Sequence, residues 1–318
     1  MVPIVVNKGY DAKIVITRKC NLKCPFCKIR RSKKLPNEIT FEQWKKGIKN
    51  LEKIGVKSIQ ILGGEPTTLD YLEDLINFLN KKTKLFYSIQ SNSTFTKERF
   101  VSLLKAGIRG YCADVNTFNF QTKKDWLTIK SGKCFKMLMK MKTAGVPYVQ
   151  AEIIISKRNI KEIPFIVERL SSLGIWINII PLHWGKHFKW EFRAEDVADE
   201  FKIKEDDRFL VGKVMNKLVK LKKRGYRIVN PTQYLENLAK INCNPIGWHC
   251  SVLARLRIDS DGSLWICNDV KGSVAEKYNI LNLNRKIYKN FKDDWIKDKD
   301  RIKCPGCAWP IAWPSVKK

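Results

Sequence analysis

"KSIQILGGEPTTLDYLEDLINFLNKK", residues 57–82, reads as one strand followed by one helix. Residues 57–64 form a short β-rich run that stops at Gly63 and Gly64, and residues 69–82 carry the amphipathic spacing of a helix. The same unit recurs on both sides. Upstream, residues 11–17 read as a strand entering a cysteine-bearing loop, and 40–55 as a helix capped by Thr40 and closed by Gly55. Downstream, strands over 84–92, 108–115, 148–155 and 175–182 alternate with helices over 96–107, 132–145 and 160–174. Strands alternating with helices of this length predict parallel βαβ units. Six strands are too few for a closed eight-unit barrel, so a partial barrel or an open α/β sheet is expected. Either fold places its chemistry at the carboxyl ends of the strands. The unusual residues fall there: Cys20 after the first strand, Gly63 to Pro66 after the second, Ser91 and Asn92 after the third, and Asp114 ending the fourth.

Composition narrows the setting. The chain of 318 residues is long enough for one large core or a core with a smaller module, and its apolar fraction of 44% is that of a globular protein. The opening residues lack the form of a secretory signal, and the longest later apolar run, "GIWINIIPL", is too short to span a bilayer. A cytoplasmic location with no membrane partner is expected. Lys+Arg 61 against Asp+Glu 31 gives a formal charge of +30. The basic runs are scattered and no nucleic-acid motif accompanies them, so a lysine-rich surface is preferred over an RNA site.

Ten cysteines in such a setting point to metal or catalytic thiols in preference to disulfides. Cys20, Cys24 and Cys27 lie in "ITRKCNLKCPFCKIRR", residues 16–31, and Arg18, Lys19 and Lys23 beside them are expected to help keep sulfur ionised. A zinc site would want a fourth ligand close by, which this stretch does not offer. Three thiolates on a four-iron cluster leave one iron open to an outside molecule.

"CNLKCPFC" together with "GGEP" resembles the radical S-adenosylmethionine (SAM) enzymes. The resemblance implies that Cys20, Cys24 and Cys27 hold a [4Fe–4S] cluster whose open iron is chelated by the amino and carboxylate groups of SAM. It implies a partial (β/α)6 barrel over residues 1–183, and a 5′-deoxyadenosyl radical that removes a hydrogen atom from substrate. Phe26 occupies the family's aromatic position beside the cluster and adenine. Gly63 and Gly64 would let backbone approach the cofactor's ammonium group, with Glu65 and Pro66 completing the motif. Ser91 and Asn92 stand where relatives place a small polar residue near the cofactor, although this chain reads Ser-Asn-Ser for the frequent Thr-Asn-Gly. Asp114 stands at a position that touches ribose or substrate in relatives. Strand-end capping is the alternative for these last residues.

Residues 184–240 read as a connecting segment with a helix over 209–225, a strand over 226–230 and a helix over 231–240. In 241–318, "RLRIDSDGSLWIC" reads as a hairpin turning at Asp261 and Gly262, carrying Cys250 and Cys267 toward the pair Cys304 and Cys307. This resembles the truncated SPASM extension, or twitch domain, implying a small hairpin-plus-helix module with one auxiliary [4Fe–4S] cluster on those four cysteines. A four-cysteine zinc ribbon has the same ligand count. Cys243 is read as a spare ligand, a hydrogen-atom donor to a substrate radical, or a buried thiol. Cys112 and Cys134 are expected to pack in the core. His183, Trp184 and His187 follow the last strand, either facing the substrate opening or forming a solvated loop.

The preferred function is a radical SAM enzyme with two [4Fe–4S] clusters, acting on a small molecule or peptide in oxidation, crosslinking or epimerisation. The resemblance implies an electron donor such as flavodoxin or ferredoxin. The alternatives are an RNA-modifying radical enzyme and a non-catalytic iron–sulfur or zinc protein that binds nucleic acid, which would leave "GGEP" unexplained.

Overall fold

The computed structural model describes residues 10–27, 34–119, 126–185, 196–244, 255–267, 272–304 and 306–308. Its first helix, α1 (Phe41–Lys53), is capped as the sequence predicts. The Thr40 hydroxyl accepts from Gln43 N while the Gln43 side chain accepts from Thr40 N, satisfying two end donors at once. Gly55 closes it at φ 102°, a conformation that suits glycine.

Six parallel strands follow in chain order: β1 (Ala12–Val15), β2 (Ser58–Leu62), β3 (Phe86–Gln90), β4 (Gly110–Asp114), β5 (Tyr148–Ile155) and β6 (Trp176–Pro181). Helices α1, α2 (Leu72–Lys82), α3 (Lys97–Lys105), α4 (Trp126–Thr143) and α5 (Ile163–Ser172) return the chain between them. The sheet is open rather than closed, as a partial barrel requires. Its strands alternate with period two. Ile14, Ile59, Ile61, Tyr87, Ile89, Tyr111, Ile153, Ile177 and Ile179 bury one face against the helices, each with no accessible surface. Burial on that scale stabilises by about 1.5–3 kcal/mol per large side chain. Among the intervening residues, Lys13, Gln60, Ser88, Gln90, Cys112, Asp114, Gln150, Glu152 and Asn178 give the other face a polar lining.

After β6 come α6 (Arg208–Lys223) and α7 (Thr232–Lys240). The strand expected over 226–230 is reduced to one parallel bridge, Ile228 with Ile177. Beyond that rung the Asn230 side chain takes over the ladder, accepting from Ile179 N at 2.7 Å and donating to Ile179 O at 2.9 Å. The predicted hairpin forms from β7 (Leu256–Ile258) and β8 (Leu264–Trp265), with Gly262 at φ 82° in its turn. It does not stand apart. β7 pairs in parallel with β1, matching Ala12 with Leu256 and Lys13 with Arg257, so the sheet order is β6-β5-β4-β3-β2-β1-β7-β8. The helices α8 (Arg285–Lys297) and α9 (Lys299–Ile302) follow. Leu218 of α6, Tyr234 of α7 and Phe291 of α8 belong to the same contiguous core as the sheet. Among the described residues, no helix is long and apolar enough to cross a membrane.

Candidate active site

The end of β2 is laced onto the segment that enters the cysteine loop. Gly64 N donates to Thr17 O at 2.8 Å and Glu65 N to Lys19 O at 2.7 Å. A Cβ on Gly63 would lie 2.4 Å from Thr17 O, and one on Gly64 would lie 2.2 Å from Lys19 O. These glycines therefore answer to the protein's own backbone. Glu65, 1% exposed, gathers the next layer. Its Oε1 accepts from Thr67 N, Thr67 Oγ1 and Ser91 Oγ, and its Oε2 from Asn92 N at 2.7 Å. Burial nevertheless raises its pKa above the usual carboxylate range, against those hydrogen bonds. Pro66, buried, opens the short 3₁₀ turn Pro66–Thr68.

Ser91 and Asn92 thus face Glu65, and Asn92 also reaches the cysteine loop, its Nδ2 donating to Asn21 Oδ1 at 2.8 Å. Ser93 has φ 62°, the left-handed conformation usually given to glycine. Its hydroxyl pairs with Tyr111 OH at 2.7 Å, which offsets the strain. The departure from Thr-Asn-Gly therefore keeps a glycine-like backbone.

Cys20, Cys24 and Cys27 are half-buried, and Cys27 N donates to Cys24 O at 3.1 Å. Burial raises the Cys20 thiol and pushes Cys24 up to about 12, and the neighbouring thiols add to each rise. The sequence expectation that Arg18, Lys19 and Lys23 favour the thiolates needs correction. Arg18 is buried and committed to Asp259 at the end of β7, donating from Nε at 3.2 Å and pairing again through its terminal nitrogen. The leading cation acting on Cys24 is Lys130 of α4. Among the described residues no three His, Cys, Asp or Glu side chains converge on a single metal ion. Three neighbouring thiols without a fourth ligand fit a cluster, whose cube holds its thiolates apart, better than one zinc. Phe26 packs toward the ends of β5 and β6, against Leu182, Val197 and Phe201.

Asp114 forms a buried ion pair with Lys130. Beside it in register lies Glu152 on β5, which accepts from Gln90 Nε2 at 3.1 Å and Asn178 Nδ2 at 3.4 Å. Opposite stands a cluster of cations. Lys13 and Arg257 are register partners on β1 and β7, and Arg255 lies two residues before Arg257. Burial lowers the Lys13 pKa; Glu152 works against that shift, whereas Arg257 and Arg255 add to it. Arg255 is lowered by burial to about 10. Glu152, Lys13, Arg255 and Arg257 were not singled out from the sequence, although polar residues at every second position of the strands signal them.

Cys267 and Cys304 are half-buried and Cys307 is buried; Cys250 and His187 lie outside the described residues. Cys243 is buried at the end of α7, where burial pushes its thiol up to about 12. Tyr234 adjoins both Cys243 and Cys307. Cys112 and Cys134 are fully buried, as expected, but Cys112 has polar neighbours in Tyr10 and Ser88. His183 is buried.

Residues 14–170 match the Radical SAM superfamily. The GTP 3′,8-cyclase of Aquifex aeolicus (strain VF5) is 24% identical over 313 residues, covering 92% of each chain. A probable GTP 3′,8-cyclase of Saccharolobus solfataricus is 23% identical over 85% of this chain and 86% of its own. Streptococcus suis SuiB bound to S-adenosylmethionine superposes with a TM-score of 0.58 at 17% identity, covering 93% of this chain and 72% of SuiB, a likeness of fold. With the cysteine loop, the laced GGEP turn and the open parallel barrel in place, the chain belongs to the radical SAM superfamily and is an enzyme of that class.

Proposed function

We propose that this enzyme abstracts a hydrogen atom from a small, phosphate-bearing molecule held in the polar lumen. The proposal includes an auxiliary [4Fe–4S] cluster on Cys250, Cys267, Cys304 and Cys307. The observation that carries the substrate reading is the cation cluster of Lys13, Arg255 and Arg257. Lys13 and Arg257 stand side by side on adjacent strands with Arg255 two residues before Arg257, and phosphate oxygens match guanidinium donors well. The opposite wall, with Glu152 between Gln90 and Asn178, would accept donor groups at the other end of the same molecule. A purine nucleoside triphosphate combines both features, and the GTP 3′,8-cyclases named above make GTP the first to test.

When bound at Cys20, Cys24 and Cys27, the cluster and SAM supply the 5′-deoxyadenosyl radical. The chain's own residues do the rest. Glu65 holds the ends of β2 and β3 in register, Asn92 and Asn21 tie β3 to the cysteine loop, and Phe26 covers the β5–β6 side. The test is anaerobic turnover of reconstituted enzyme with a reductant and GTP deuterated on the ribose. Label appearing in 5′-deoxyadenosine, and lost in Lys13→Ala/Arg257→Ala, supports the reading. Label transfer from a peptide or an RNA in place of GTP and other phosphorylated small molecules would refute it.

A further inference from the structure

Lys130 belongs to no motif, and the chemistry described so far does not need it. Its ammonium is ion-paired with Asp114, the two side chains being 7% and 15% exposed. The first turns of α4 fix it in place. Ser131 Oγ accepts from Asn116 N at 3.1 Å, just beyond β4. One turn past Lys130, Cys134 Sγ donates to Asn92 O at 3.5 Å, and Asn92 is bonded to Asn21 inside the cysteine loop. The helix start therefore spans the ends of β3 and β4 beside the three cysteines. Burial pushes the Lys130 pKa down, but the Asp114 carboxylate, and after it the neighbouring Cys24 and Cys134, outweigh burial and hold Lys130 charged. Lys130 lies within electrostatic reach of Cys24.

We propose that Lys130 is a positioning residue for reduction: its ammonium, held by Asp114, sets how readily the cluster on Cys20, Cys24 and Cys27 accepts an electron. The proposal rests on reading those cysteines as the cluster's ligands. Reduction adds one negative charge to the cluster. A cation fixed nearby in a low-dielectric site stabilises that added charge, and a carboxylate in the same place opposes it. The pair thus acts as an adjustable dipole, and its two members have opposite effects. A lysine serving only to support the fold would not give that signature.

The experiment uses the full chain reconstituted anaerobically with iron and sulfide. Midpoint potentials are measured by redox titration followed by EPR, on the signal that changes when SAM is added, which separates it from any auxiliary cluster. Lys130→Met should make the potential more negative and Asp114→Asn less negative. Lys130→Arg should stay near wild type, and Lys130→Met/Asp114→Asn should fall between the single variants. Shifts of the same sign in the two single variants, or no shift in Lys130→Met at full iron content, overturn the proposal. Should Lys130→Met fail to hold iron, Asp114→Asn decides alone, since an unchanged or more negative potential there is equally fatal. A wild-type protein with no SAM-responsive signal would overturn the ligand assignment itself.

Discussion

Gly64→Ala separates two explanations of the glycine pair. If the glycines serve only to admit the cofactor, the variant should lose SAM affinity and keep its stability. The structure places the new Cβ 2.2 Å from Lys19 O and 2.7 Å from Arg18 O, both backbone atoms that no rotamer change can move. The end of β2 would have to retreat by about 1 Å, which takes the bonds from Gly64 N to Thr17 O and from Glu65 N to Lys19 O out of range. Overpacking costs about 1–3 kcal/mol, and the two hydrogen bonds about 1 kcal/mol each. The expected loss is about 3–5 kcal/mol, present before any cluster is loaded. Gly212→Ala is the control, because Gly212 lies within α6 with nothing within 4 Å of its Cβ position. It should gain about 0.5–1 kcal/mol. The assay is urea unfolding of both variants, with and without reconstitution. A cluster-free Gly64→Ala as stable as wild type would refute the packing argument.

Three further outcomes are expected. Replacing Cys20, Cys24 and Cys27 together with alanine should abolish reductive SAM cleavage while leaving about four irons, one cluster's complement, on the C-terminal cysteines; retained cleavage contradicts the ligand assignment. Ser93→Gly should stay within about 0.5 kcal/mol of wild type, since relief at φ 62° is offset by loss of the Tyr111 contact, whereas Ser93→Val should lose about 2 kcal/mol in thermal unfolding. Burial raises the Glu152 pKa, so its contribution to stability is full below the unfolded carboxylate value, near about 4.3, and is lost as pH rises through the folded value. Wild type should therefore weaken relative to Glu152→Gln as pH rises from the unfolded carboxylate value through the folded one, and parallel stability curves would contradict that.

Much of the frame is legible in the chain because it rests on local rules. Thr40 and Gln43 form a capping box, Gly55 and Gly262 take left-handed turns, and six strands alternate with helices at the expected intervals. What escapes is either non-local or displaced by a few residues. Arg18 and Asp259 are 241 residues apart, and nothing in either neighbourhood names the other. Lys130 falls outside a helix expected to begin at Gly132; the helix starts at Trp126, which turns an apparent loop lysine into a buried one. The strand over 226–230 has the right composition, but Asn230 substitutes a side chain for the second rung. The lumen was readable in principle, since Lys13, Gln60, Gln150, Glu152 and Asn178 interrupt apolar runs at every second position.

The parallel seam between β1 and β7 joins the first strand of the chain to one of its last. On the ribosome, β1 and the arginine two residues before Cys20 emerge long before their partners. At about 5–20 residues per second, the wait for Asp259 is roughly 12–48 s. Throughout that interval β1 has one unpaired edge, a template for wrong pairing, and the cysteine loop lacks the clamp that orients it. Iron delivered before then would meet thiols not yet held in place, so ordered cluster insertion has to wait until Asp259 has emerged and β7 has paired with β1.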